Sequence, residues 1–153
     1  MDKVIGLGKL GCAIAEELTA YPEYRIYKID AEIEERGSLA IGTASNMQEY
    51  EQLFDQTAAE IYLRSIKAQD SILLIMSGGE PVSGCVLQLL ECIKDANINV
   101  LYIAPDRDMI SEIQKRDDKI AFNVLQEYAR SGILERIIMV NNAHIERSIG
   151  DMS

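Results

Sequence analysis

Residues 3–12 read Lys3-Val4-Ile5-Gly6-Leu7-Gly8-Lys9-Leu10-Gly11-Cys12, a short apolar run that passes through three glycines into a helical pattern. Lys3–Leu7 has the character of a buried strand. Leu10, Ile14, Ala15 and Leu18 then recur at helical spacing, which predicts a helix over residues 10–20. Tyr21-Pro22 stops it, because the residue before a proline is pushed out of the α region. The glycines between strand and helix permit positive φ and close backbone approach, and the helix start offers free N–H groups to an anion.

The same alternation continues outward. Residues 24–30 (YRIYKID) are aromatic and β-branched and read as a second strand. Residues 31–45 are irregular, with room for one short strand. Asn46 reads as an N-cap with Glu49 three residues on, opening one helix over residues 47–67. Residues 71–76 (SILLIM) are apolar on both faces, as in the middle of a parallel sheet. A helix over 85–94, a strand over 99–104, and a helix from 107 or 109 to 131, broken near 116–118, follow. Gly132 closes that helix and residues 136–140 form the last strand. Strand and helix alternate throughout, so the expected fold class is α/β: a Rossmann-like, doubly wound parallel sheet in three α/β/α layers.

The 153 residues read as one domain, residues 1–153, without repeat, linker or low-complexity tract. With 25 acidic against 15 basic side chains the net charge is −10, a poor match to nucleic acid or an anionic membrane. No apolar run is long enough to span a bilayer, and the start has no signal-peptide pattern. Cys12, Cys85 and Cys92 are three, without a CxxC pair, which fits buried thiols in a reducing cytoplasm. The single histidine, His144, has no partner with which to build a zinc site. Glu32, Glu34 and Glu35 read as a solvated acidic face, and residues 106–118 as mixed charge.

Two glycine loops lie at carboxyl ends of predicted strands, where ligands of parallel sheets sit. The first, Gly6 to Gly11, is a full G-x-G-x-x-G. Asp30 closes the second strand about 20 residues later, the spacing of an NAD-binding unit with its acid on the ribose. The second loop, Gly78-Gly79-Glu80-Pro81-Val82-Ser83-Gly84, is more than a single dinucleotide loop requires.

Two such loops around one ligand characterise the tubulin/FtsZ family, and the chain resembles the nucleotide-binding (GTPase) domain of that family over nearly its whole length. KVIGLGKLGCAIAEEL resembles its first strand, loop and helix, and IGTASNMQEYE its loop before a long helix. SGGEPVSG followed by CVLQLLECIKDANINVLYIAP resembles its signature GGGTGTG loop, helix and next strand. The resemblance implies GTP or GDP, with Mg²⁺, as the ligand. It implies that Gly8, Gly11 and Cys12 line one phosphate loop through their backbone, and that Gly78, Gly79, Ser83 and Gly84 line the other. It places Asp30 near the ribose, Asn46 near the terminal phosphate, and Asn141 or Asn142 near the base or sugar.

Departures from the family pattern qualify the activity. Pro81 removes an N–H donor from a loop that presents such donors. Glu80 puts a carboxylate beside the phosphates, either as a metal ligand or as the mark of a degenerate site. Lys9 either meets a phosphate or sits in solvent. The family's central helix and second domain, with the acids that activate water in the neighbouring subunit, lie beyond the 153 residues, whether these are a whole protein or a fragment. The expectation is therefore a nucleotide-binding assembly protein with weak or no autonomous GTP hydrolysis, associating with itself or with a filament partner. The alternatives are an interaction module that keeps only the fold, and an NAD-binding Rossmann protein.

Overall fold

A computed structural model of the chain describes residues 2–141. The elements run β1 Lys3–Leu7, α1 Gly8–Glu17, β2 Arg25–Asp30, β3 Ser38–Ala40, α2 Met47–Leu53, α3 Gln56–Tyr62, β4 Ser71–Ser77, α4 Val86–Ile93, β5 Asn97–Ala104, α5 Glu112–Arg130 and β6 Leu134–Asn141. The sheet has the order β3-β2-β1-β4-β5-β6, and every neighbouring pair is parallel. This is the doubly wound, Rossmann-like order, and the reversal between β1 and β4 opens a crevice at the carboxyl ends of those two strands.

Alternation along each strand sorts the core into two layers. Ile5, Leu7, Tyr27, Ile29, Ile72, Leu74, Met76, Ile98 and Val100 face α2 to α5. Val4, Ile75 and Ile103 face the other way, onto Leu10, Ile14 and Ala15 of α1. The expected α/β/α sandwich is thus present, with unequal outer layers. β4 is the central strand that the SILLIM run predicts, with Ile72, Leu74, Ile75 and Met76 fully buried. No helix of the described residues is long and apolar enough to cross a membrane.

Three expected helices are reshaped. The single helix over 47–67 is two helices, because Phe54 takes an extended conformation (φ −61°, ψ 122°) and Asp55 starts α3 by accepting from the Ala58 N–H at 3.1 Å. The break near 116–118 does not occur. After a short 3₁₀ turn at Arg107–Met109, α5 runs unbroken from a capping box in which Ser111 and Gln114 exchange side chain-to-backbone hydrogen bonds. Asp117 and Asp118 are buried within it. The helix over 10–20 tightens into a 3₁₀ turn at Leu18–Ala20. Asn46 does cap α2, accepting from the Glu49 N–H at 2.9 Å, while the Glu49 carboxylate accepts from the Ser45 N–H at 2.8 Å.

Candidate functional site

Gly8 takes φ +80° and turns the chain directly from β1 into α1. Leu7, at the cap position, has no side-chain acceptor for the first turn of the helix. The acceptor comes from the other glycine loop. The Lys9 N–H donates to Glu80 Oε1 at 2.8 Å, and the Ser77 hydroxyl donates to Glu80 Oε2. A Cβ on Gly8 would stand 2.8 Å from Oε2, so the bare glycine leaves room for the carboxylate. A negative charge thus rests on the positive end of α1.

The second loop starts at Ser77, the last residue of β4. The Gly78 N–H donates to the Ile103 carbonyl at 3.0 Å, and Gly79 takes φ +88°. Pro81–Cys85 then forms a 3₁₀ turn. Within it the Ser83 N–H and hydroxyl both donate to the Glu80 carbonyl, at 3.0 and 2.7 Å. The hydroxyl therefore fixes its own loop. A Cβ on Gly84 would lie 2.0 Å from the Met47 carbonyl oxygen, and one on Gly11 would lie 2.3 Å from that of Ile75. These two glycines are close-packing positions between elements.

Four cavities divide the residues that the sequence singles out. One of about 380 Å³ is lined by Lys9, Leu10, Ser77, Gly78, Gly79 and Glu80. A second, of about 300 Å³, is lined by Lys9, Asp30, Glu32, Thr43, Tyr50 and Glu80. Lys9 and Glu80 border both, so these two cavities are neighbours and together make up the crevice. Asp30 closes β2 at its edge, with Oδ1 accepting from the Ala31 N–H at 2.7 Å. Asn46, Ser83 and Gly84 line a separate cavity of about 580 Å³, with Arg116, Asp117 and Ile120. Asn141 lines a fourth, of about 750 Å³, with Tyr102, Arg107, Asp118 and Phe122. Gly8, Lys9, Asp30, Gly78, Gly79 and Glu80 thus come together, whereas Asn46, Gly84 and Asn141 line other cavities, and Ser83 lines that of Asn46 and Gly84 while its hydrogen bonds fix the Glu80 carbonyl. Asn142 and His144 lie outside the described residues.

The crevice is lined by charged side chains, Lys9 against Asp30, Glu32 and Glu80. Cys12 is buried behind it, its thiol donating to the carbonyls of Gly6 and Ile29 at 3.4 Å. Burial first, and the nearby Asp30 charge second, push that thiol up to about 12, so it remains protonated at neutral pH. Among the described residues no group of three His, Cys, Asp or Glu side chains is placed to hold a metal ion. Glu80 has both oxygens on protein donors.

Sequence reasoning overlooks a buried polar group beside the second loop. The Tyr102 hydroxyl donates to Asp118 Oδ1, and Arg107 reaches Asp118 Oδ2 at 3.4 Å. Gly78 packs on this pair, since a Cβ there would fall 1.9 Å from Asp118 Oδ1 and 2.2 Å from the Tyr102 oxygen. Burial, then the Asp118 carboxylate, raise the Tyr102 phenol above its usual range. A helical reading of Asp118, Ala121 and Leu125 as one buried stripe would have exposed it.

No family model and no curated protein sequence matches the chain. A crystal structure of S. aureus homoserine dehydrogenase is similar at 15% identity and a TM-score of 0.34. The match covers 92% of this chain and 34% of that one, so the chain spans about a third of the protein it matches. A likeness at that level carries no argument, and the fold stands on the strand order alone.

Proposed function

We propose that the chain is a cytoplasmic, tubulin/FtsZ-like guanine-nucleotide-binding domain with a degenerate phosphate loop, acting in assembly with weak or no hydrolysis of its own. One observation supports this reading most. The turns that follow β1 and β4 meet at the switch point, and a backbone N–H of α1 there already holds an oxyanion, the Glu80 carboxylate. A helix N–H that accommodates a carboxylate oxygen also suits a phosphoryl oxygen. Lys9 adds a positive charge at the rim. A Mg²⁺ ion would arrive on the nucleotide's phosphates, since the described protein side chains form no cation cluster of their own. Bound there, it would neutralise the repulsion between those phosphates and Glu80. The chain's own part is then to position the phosphates, a large share of what phosphoryl transfer asks of a protein, and the surplus of carboxylates fits weak or no hydrolysis.

A second reading has its own observation. Asp30 ends β2 at the edge of the 300 Å³ cavity beside Lys9, as the ribose-binding acid of an NAD-type protein would. A third keeps the fold as an interaction module.

Thermal melting with GTP, GDP, ATP and NAD, each with Mg²⁺, separates them. Ligand at a hundred times Kd stabilises by about 2.7 kcal/mol. A shift with guanine nucleotides supports the leading reading, and a shift with NAD alone replaces it with the second. No shift with any of the four leaves the interaction module.

A further inference from the structure

We infer that Glu80 is a built-in occupant of the phosphate position: its carboxylate holds the crevice closed, and a phosphoryl ligand enters only by displacing it. The inference rests on reading the crevice as the nucleotide site and names how that site is regulated. Lys9 and Glu80 are 71 positions apart, so their contact is made by the fold and not by local turn geometry. The carboxylate takes the N–H of the first helical turn with one oxygen and the Ser77 hydroxyl with the other. One donor belongs to the first turn of α1 and the other to the end of β4, so the carboxylate bridges the two elements that border the crevice. The backbone of Glu80 is itself held, because its carbonyl accepts both the N–H and the hydroxyl of Ser83. Gly8 presents no Cβ and so leaves the seat clear.

Glu80 also lines two cavities that both border Lys9. Swinging its carboxylate out would clear the seat in the crevice, which runs from Asp30 to Gly79. A phosphate and a carboxylate repel each other, so the two cannot share the same donors. Asp30 and Glu32 on the rim add to the repulsion of a bare polyanion. The seat is therefore a competition between an internal carboxylate, always present at high effective concentration, and an external phosphoryl group.

Pyrophosphate titrations of the wild-type chain, Glu80→Ala and Glu80→Gln at fixed ionic strength test this, read by melting and by the ¹⁵N–¹H resonance of Lys9. Glu80→Ala is expected to bind pyrophosphate at least tenfold more tightly than wild type, with the Lys9 resonance moving on titration. Glu80→Gln keeps an acceptor but not the charge and is expected to fall between them; it decides the matter if the alanine variant does not fold. Equal affinity in all three chains, or a Lys9 resonance that does not move, overturns the inference. GDP run in parallel keeps the two ideas distinct. A gain for pyrophosphate with no preference for GDP supports the internal occupant and removes the nucleotide reading. Wild type binding GDP as tightly as Glu80→Ala does the reverse.

Discussion

The Tyr102 hydroxyl donates to the Asp118 carboxylate, tying β5 to α5 against the bare Cα of Gly78. Tyr102 is 1% exposed and Asp118 7%, so neither group has water as an easy substitute partner. Arg107 reaches the second oxygen at 3.4 Å, but its own side chain is largely in solvent and its charge is screened. Tyr102→Phe would leave a buried carboxylate short of its main donor, which costs about 1–3 kcal/mol. Urea unfolding should show a lower midpoint with an unchanged slope. Hydrogen exchange at Gly78 should quicken, since its N–H bonds the Ile103 carbonyl beside this pair. A midpoint equal to that of wild type would show that the pair contributes nothing.

Gly84 and Gly79 lie in the same loop yet should respond differently to alanine. At Gly84 the new Cβ meets a backbone oxygen, that of Met47, which moves only if α2 moves. Overpacking of this kind costs about 1–3 kcal/mol. At Gly79 the nearest atom stands 3.5 Å away, so the cost is only that of φ +88°, about 1–2 kcal/mol. Gly84→Ala should also broaden or shift the amide resonances at the start of α2, while Gly79→Ala should leave them in place. If Gly84→Ala melts like wild type, the packing role assigned to this glycine is wrong.

The sequence made the sheet legible because its signals are local. The two-faced apolar run of β4, the glycine turn after β1 and the spacing of Leu10 and Ile14 each need only a few neighbouring residues. The parts that were missed depend on distant partners. Leu53, Phe54, Thr57 and Ile61 continue a helical period across residues 53–61, which hides the cap at Asp55. Asp117 and Asp118 look like a charged interruption until Tyr102 is placed opposite Asp118. Ser83 and Gly84 belong to the second glycine loop in sequence, but the 3₁₀ turn at Pro81–Cys85 carries them to another cavity, beside Asn46. Glu80 stands out in the sequence as an intruder, whereas its partner, the Lys9 N–H, is found only in the fold.

The cysteines give a pH prediction. Burial pushes the Cys12 and Cys85 thiols up to about 12, from an ordinary value of roughly 8.5. The Tyr128 phenol also rises to about 12, through burial and its hydrogen bond to Glu91. All three are held protonated in the fold, so the unfolded chain loses these protons first. Their contribution is complete below the unfolded pKa values and is lost as pH climbs toward 12. The urea midpoint should therefore fall steadily above about pH 9. At pH 8 the native chain should leave Cys12 and Cys85 unmodified by iodoacetamide, and urea should release both. Rapid native alkylation at either would contradict their burial.

Asp55 tests whether the break between α2 and α3 is built by a side chain or merely tolerated. Its carboxylate accepts from the Ala58 N–H at 3.1 Å, while Phe54 is buried in an extended conformation. The break therefore buries an aromatic ring and supplies a cap, and Ala59 and Leu63 reach the core from the redirected segment. A continuous helix over residues 47–67 would forgo the cap, and alanine at 55 favours that alternative by propensity. Asp55→Ala should cost about 0.5–2 kcal/mol, the usual loss for a removed N-cap. Far-ultraviolet circular dichroism should show no gain in helix, because the Phe54 burial still forces the turn. A rise in helical signal with unchanged stability would mean that the two helices are one helix held apart by Asp55 alone.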